Sequence, residues 1–293
     1  SSLSGERTKY YDRVNYATPN LEYGLGVNLD LNKNLSLEAT INPDFSQVEA
    51  DETKIDINSP TAINYPEKRP FFNKGIDAMD YSLDVFNSRA INNPSFAGKI
   101  LNQGKKTRLY ILSAFDEETP YLVPTQYESF SGVGGKSFSN IIRYQNFISS
   151  NAHIGVLSSN RSYEGGAYGN LFGVDALFKI SDIWKFELEY FVNNNKEPIS
   201  DWIKSDKTFG EYTVRLDGEK FNGSALYAEI RRETENWRSF IQYTDLSEGF
   251  RSDNGFITGN DLKKYSFWHS YYQFPNSELL KNYRISLKQD FEY

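Results

Sequence analysis

Cysteine is absent from the 293 residues. That excludes a disulfide scaffold and any thiolate metal site, and redox chemistry gives no clue to the compartment. Long apolar runs are missing too. Nothing approaches the roughly 20 residues that cross a bilayer as a helix, so a helical membrane protein is excluded. The net charge is −7 and no basic block occurs, which argues against a nucleic-acid surface. Histidine is reduced to His153 and His269, far apart and without a ligand pattern, so neither metal nor cofactor is expected. The start, Ser1-Ser2-Leu3-Ser4, lacks the basic and apolar regions of a secretion signal. The expectation is that a leader has been removed or that these residues belong to a longer polypeptide.

Aromatic residues, by contrast, reach 16%, with 21 Tyr and 21 Phe, which a disordered chain would not carry. They fall in a period of two. Phe172, Val174, Ala176, Phe178 and Ile180 alternate with Gly173, Asp175, Leu177 and Lys179, and beyond Ser181-Asp182 the pattern resumes with Trp184, Phe186, Leu188, Tyr190 and Val192. Successive strand side chains point to opposite faces, so 172–192 is predicted to be a long antiparallel hairpin with one apolar and one polar face. A second such hairpin is predicted over 21–42, turning at Asn32-Lys33-Asn34.

Further strands are expected near 95–101, 107–115, 138–147, 152–159, 209–217, 222–231, 237–245, 264–274 and 282–292, with a weaker one at 82–89. That makes about twelve to fourteen strands. Short links near 32–34, 102–106, 148–151, 181–182 and 218–221 alternate with long ones near 43–94, 116–137, 160–169 and 194–208. The alternation weakens after residue 232. Tight turns at one rim and long loops at the other belong to an up-and-down barrel. The fold class read from the chain is therefore all-β. It is a transmembrane antiparallel β-barrel domain over 1–293, or part of a larger barrel, with 43–94 as a plug-like or rim excursion.

On this reading Phe172, Phe178, Trp184 and Leu188 face lipid, and Asp175, Lys179, Glu187 and Glu189 face the lumen. Tyr190 and Tyr283 join Trp184 and Phe172 near strand ends, where interfacial girdles lie. The excursion holds Asp44, Glu49, Asp51 and Glu52, then Lys68 and Arg69 between Pro66 and Pro70. Non-strand backbone must lie in the lumen or outside the hydrocarbon layer, and Arg69 suits a bidentate pair with one of those four acids. Asp44, Glu49, Asp51, Lys68 and Arg69 are the candidate constriction or ligand-binding residues. Gly132-Val133-Gly134-Gly135-Lys136 lacks P-loop spacing and is expected to be a flexible loop. No pair of carboxylates is singled out for hydrolysis, so no catalytic residue is assigned and no enzyme is expected.

The stretches "NPDFSQVEAD" at 42–51, "PEKRPFF" at 66–72 and "FNSRAI" at 86–91 resemble the outer-membrane β-barrel domain of unknown function DUF5916 common in Bacteroidota. In many of those proteins a family 9-type carbohydrate-binding domain precedes the barrel. "NRSYEGG" at 160–166, "NLFGVDALFKISDIWKFE" at 170–187 and "YTDLSEGFRSDNGFI" at 243–257 also resemble it. The family's paired arginines correspond to Arg89 and Ala90 here, so a two-arginine role does not carry over.

The expected function is that of a barrel in the bacterial cell outer membrane, acting as a channel or transporter-like component for glycans or other polar solutes. Its expected partners are outer-membrane lipid, a polar solute or glycan, and other outer-membrane proteins, with no nucleic acid. Two alternatives stand beside it: a non-conducting structural barrel anchoring a surface or envelope complex, and a soluble glycan-binding or glycan-cleaving β protein.

Overall fold

The computed structural model describes residues 24–43, 67–275 and 281–293 in full, and the backbone of Ser2–Ser4, Arg7–Tyr10, Arg13–Tyr16 and Asn20–Glu22. These four short N-terminal stretches form two small antiparallel ladders. The rest is built on one twelve-stranded sheet. Its strands are β1 (Leu25–Asp30), β2 (Leu35–Ile41), β3 (Pro94–Gln103), β4 (Thr107–Asp116), β5 (Ser137–Ser149), β6 (Ala152–Tyr163), β7 (Tyr168–Lys179), β8 (Trp184–Lys196), β9 (Lys220–Glu233), β10 (Trp237–Leu246), β11 (Leu262–Gln273) and β12 (Tyr283–Glu292).

Each strand pairs antiparallel with its neighbour in the chain, so spatial order is sequence order. The chain is thus an all-β, up-and-down antiparallel sheet. Its edges are β1 and β12, and no ladder joins them among the described residues. No described helix is long and apolar enough to cross a membrane.

Two predicted strands are corrected. Residues 82–89 contain no strand; they end in a 3-10 turn at Ser88–Ala90. Residues 209–217 hold only parts of two-residue ladders, Thr208–Phe209 with Tyr212–Thr213 and Ile199–Ser200 with Leu216–Asp217. Counting 209–217 as a spanning strand shifted the parity of every later link. With 197–219 as one long connection, the links at one rim are short (31–34, 104–106, 150–151, 180–183, 234–236) apart from 274–282 before the last strand. The connections at the other rim (42–93, 117–136, 164–167, 197–219, 247–261) include all the longest. The Gly132–Gly135 stretch is corrected as well. Residues Ser129–Gly134 pair with Thr119–Pro124 in a small hairpin packed on Trp202, not a free loop.

The two faces of the sheet differ. One face is bare, and across all twelve strands it presents large apolar side chains to the outside. Examples are Val27 on β1, Ile142 on β5, Phe172 and Val174 on β7, Trp184 and Tyr190 on β8, Ile241 on β10 and Leu287 on β12. Aromatic residues border it. Phe96, Phe115 and Phe138 are cross-strand neighbours toward the long rim, and Trp237 lies tilted against Tyr271 toward the short rim, with ring centroids 4.4 Å apart.

The opposite face carries the segment 67–93, hereafter the insert, whose one α-helical turn is Pro70–Asn73. Phe72, Leu83, Val85, Phe86 and Ile91 of the insert bury against Leu101, Leu112, Ile141, Leu157, Leu171 and Phe191 of β3 to β8. Each such fully buried side chain contributes about 1.5–3 kcal/mol. A second apolar cluster, including Tyr121, Val123, Tyr163, Phe209, Val214 and Leu216, gathers the long-rim connections into a cap.

Candidate functional site

Polar groups of the insert face converge on the insert rather than on open space. At one end, Glu38 on β2 pairs with Lys99 on β3 (2.9 Å) and with Lys74 of the insert (2.5 Å). Lys99, fully buried, also donates to the carbonyls of Phe71 and Lys74. At the other end, Glu189 on β8 accepts the backbone N–H groups of Ser82 (2.6 Å) and Leu83 (3.0 Å), and Glu187 accepts the Ser82 hydroxyl (2.9 Å).

Between them Arg143 on β5 reaches across β6 to Asp175 on β7 in a bidentate pair, its Nη2 standing 2.8 Å from Oδ2. The crossing needs Gly155. A Cβ there would sit 2.2 Å from the guanidinium. Arg143 Nε then donates to the carbonyl of Ala78 in the insert (3.0 Å), and the guanidinium lies over the Tyr81 ring. Buried polar groups need hydrogen-bond partners, so the two ion-paired clusters and the Glu189 contacts fix where the insert lies.

Arg69 is buried in its own pocket. Its partner is Glu67, with Nε–Oε1 at 2.9 Å and Nη2–Oε2 at 2.7 Å, while Nη1 donates to the carbonyl of Ile91 (2.7 Å) and Nη2 to that of Ser88 (2.9 Å). The pairing expected with Asp44, Glu49, Asp51 or Glu52 falls on residues outside the described ones. The chelate with Glu67, two residues away, ties both ends of the insert together. Burial alone would raise the Glu67 carboxyl, but Arg69 and the Ser88 hydroxyl pull it below the usual range. Asp44, Glu49, Asp51 and Glu52 lie outside the described residues. Lys68 is exposed.

Of the polar residues on the hairpin, Asp175, Glu187 and Glu189 therefore hold the insert, and Lys179 sits at the short rim paired with Asp182 at 3.2 Å. Phe172, Phe178, Trp184 and Leu188 lie on the bare face, where the β7–β8 ladder sets Phe172 opposite Val192, Phe178 opposite Phe186 and Leu188 opposite Ala176. The short rim has a cavity of about 400 Å³ lined by His153, Lys179, Lys185 and Arg231 among others. Asp182 and Glu233 line it too, and the cations Lys179, Lys185 and Arg231 are paired with Asp182, Glu187 and Glu229.

The sequence did not single out the long-rim network. Fully buried Arg251 donates to the Tyr121 hydroxyl (2.6 Å) and stands 3.2 Å from Asp253 and 3.8 Å from Glu197. Burial pushes the Glu197 carboxyl up to about 7 against the pull of Arg251, and Asp217 and Glu219 add to the rise. Those three carboxylates have oxygens within 4.8 Å of one another. Each is also engaged locally: Glu197 by the Asp217 N–H, Glu219 by the Thr213 N–H and Asp217 by the Thr213 hydroxyl. The three carboxylates belong to one connection, but Arg251 joins it to Tyr121 of another, and no local motif marks that contact.

Over residues 4–108 the chain matches the model of the domain of unknown function DUF5916, which bears out the resemblance for that stretch. No curated protein matches the chain. Among solved structures, OmpT (in-vitro folded), an outer membrane protein of Vibrio cholerae, is similar with a TM-score of 0.37 at 9% identity. The alignment covers 94% of this chain and 92% of that one. That likeness is too distant to carry an argument.

Proposed function

We propose that this chain forms the wall of an outer-membrane β-barrel with its bare face against lipid and the insert as a resident plug. On this reading it works as an occluded, transporter-like component for polar solutes such as glycans. The observation that carries the membrane part is the apolar band. On β8 the bare-face residues run from Trp184 to Val192 without a polar side chain. At about 3.3 Å per residue this is roughly 26 Å of strand, or about 20 Å along the normal of a bilayer once tilted. Water-soluble sheets do not leave such a band uncovered across every strand. Edges within a bilayer must be paired, and an even number of strands lets β1 meet β12 antiparallel to close the wall.

The four tryptophans test the lipid contact. Trp184 and Trp237 lie on the bare face, 41% and 40% exposed, whereas Trp268 is on the insert face and Trp202 in the rim cap. Brominated lipid should quench Trp184 and Trp237 and spare the other two. Equal sparing of all four would remove the membrane reading.

A second reading is favoured by one observation. The insert is held by an apolar core and buried ion pairs, as a fixed structural filling would be, which fits a non-conducting barrel anchoring an envelope complex. Planar-bilayer conductance separates the two. The native barrel should be nearly silent, and Glu187→Ala with Glu189→Ala, which frees the Ser82–Leu83 end, should open it. An inserted variant that stays silent would favour the anchor.

A further inference from the structure

A row of carboxamides crosses the bare face at the long-rim side of the apolar band. Ser113 on β4, Asn140 on β5, Asn160 on β6, Asn170 on β7, Asn194 on β8 and Asn222 on β9 are cross-strand partners in turn. Strands are about 4.8 Å apart, so these groups bond sideways. Ser113 Oγ donates to Asn140 Oδ1 (2.6 Å), Asn160 to Asn170, and Asn194 Nδ2 to Asn222 Oδ1 (2.6 Å). At the β9 end Asn222 accepts through Oδ1, and its own Nδ2 meets no acceptor among the described residues.

The next row toward the long rim holds Tyr168, Lys196 and Lys220, again directly opposite one another on β7, β8 and β9. Two like charges facing across an antiparallel pair repel. All the other lysines on the twelve strands are paired with a carboxylate: Lys99, Lys179, Lys185, Lys263, Lys264 and Lys288. Lys196 and Lys220 have no such partner among the described residues. They stand on the outward face just past the apolar band, beside an unused amide donor.

We propose that Lys196 and Lys220, with Asn222 Nδ2 and the Tyr168 hydroxyl, bind the phosphate of a phosphorylated glycolipid headgroup packed against the bare face. A single phosphate bridging the two ammonium groups turns the repulsion into two charge-assisted contacts. Long loops mark the outward rim of outer-membrane barrels, so the lipid is one of the outer leaflet. The proposal rests on the bare face being lipid-facing.

Native mass spectrometry of the detergent-solubilised chain tests it, with a bisphosphorylated acylated glucosamine disaccharide as probe and phosphatidylcholine as the neutral control. The probe should bind selectively, and Lys196→Gln with Lys220→Gln should weaken it about thirtyfold, the factor two charges supply at an anionic lipid surface. Undiminished binding by the variant, no preference over phosphatidylcholine, or equally tight capture of inorganic phosphate would each overturn it. Bromolipid quenching of Trp184 is measured on the same samples. If Trp184 is quenched while the lysine variant binds normally, only the headgroup site fails. If Trp184 is not quenched, the membrane reading itself fails.

Discussion

Two ion pairs on the insert face, one in the middle of the chain and one near its C-terminal end, have very different surroundings. Arg143 and Asp175, on β5 and β7, are 2% and 7% exposed and sit beneath the insert. Lys288 and Asp290, both on β12, are 61% and 33% exposed at 2.9 Å, outside the part of the sheet that the insert covers. Both arise from the same alternation of polar and apolar residues. The alternation assigns a side chain to a face, but burial comes from whatever a distant part of the chain lays over that face. Charges on one sheet can thus be structural anchors at β5–β8 and solvated groups at β12.

The largest expected effect breaks the covered pair. Arg143→Ala leaves buried Asp175 with only the His153 ring, 3.2 Å away, and removes the bond to Ala78, which should cost about 3 kcal/mol. Lys288→Ala should change stability by no more than about 1 kcal/mol. Denaturant unfolding followed by tryptophan fluorescence measures both. Comparable losses at the two sites would contradict the contrast.

Next in size is a charge on the bare face. Val174→Arg should cost about 2–4 kcal/mol in a bilayer and almost nothing if that face meets water. Refolding into lipid against detergent-free buffer reads the difference. A smaller effect is expected from added volume under the insert. Gly173→Ala puts a Cβ 2.0 Å from the Phe191 ring, an overpacking that typically costs about 1–3 kcal/mol. Gly26→Ala on β1, whose nearest neighbour would be 4.0 Å away, is the matched control, and the same unfolding assay should separate them.

The smallest effect is a pH dependence at the long rim. Glu197 has its carboxyl raised from 4.5 to about 7 in the folded chain. Its contribution to stability is therefore full below about 4.5 and is lost as pH rises through about 7. The unfolding midpoint should fall between pH 5 and pH 8, and Glu197→Gln should flatten that slope. An unchanged slope in the variant would assign the dependence to another group.

The period-two pattern was legible wherever both faces were decided locally. Phe172, Phe178, Trp184 and Leu188 are on one face of the hairpin, and Asp175, Lys179, Glu187 and Glu189 on the other, because a strand has no freedom to do otherwise once its register is set. The pattern misled over 209–217. Alternating residues there feed short ladders in a rim connection, and the parity error it caused also hid the regular rim assignment beyond residue 232. Pro70 correctly marked chain outside the strands, where it opens the helical turn Pro70–Asn73. Spacing could not show that Arg69 would take Glu67, since a bidentate contact two residues away depends on the turn the backbone makes.

What the sequence determined by itself was the all-β class, the run of long antiparallel strands and the face each side chain takes, all consequences of strand geometry and local turns. What only the tertiary structure decided was which polar residues became anchors, since Gly155 opens a path for Arg143 and the insert supplies the carbonyls and N–H groups that Arg143 and Glu189 bind. It also brought the long-rim loops together around Arg251. These outcomes depend on contacts between segments far apart in the chain, where burial and pairing are set by the neighbour rather than by local periodicity.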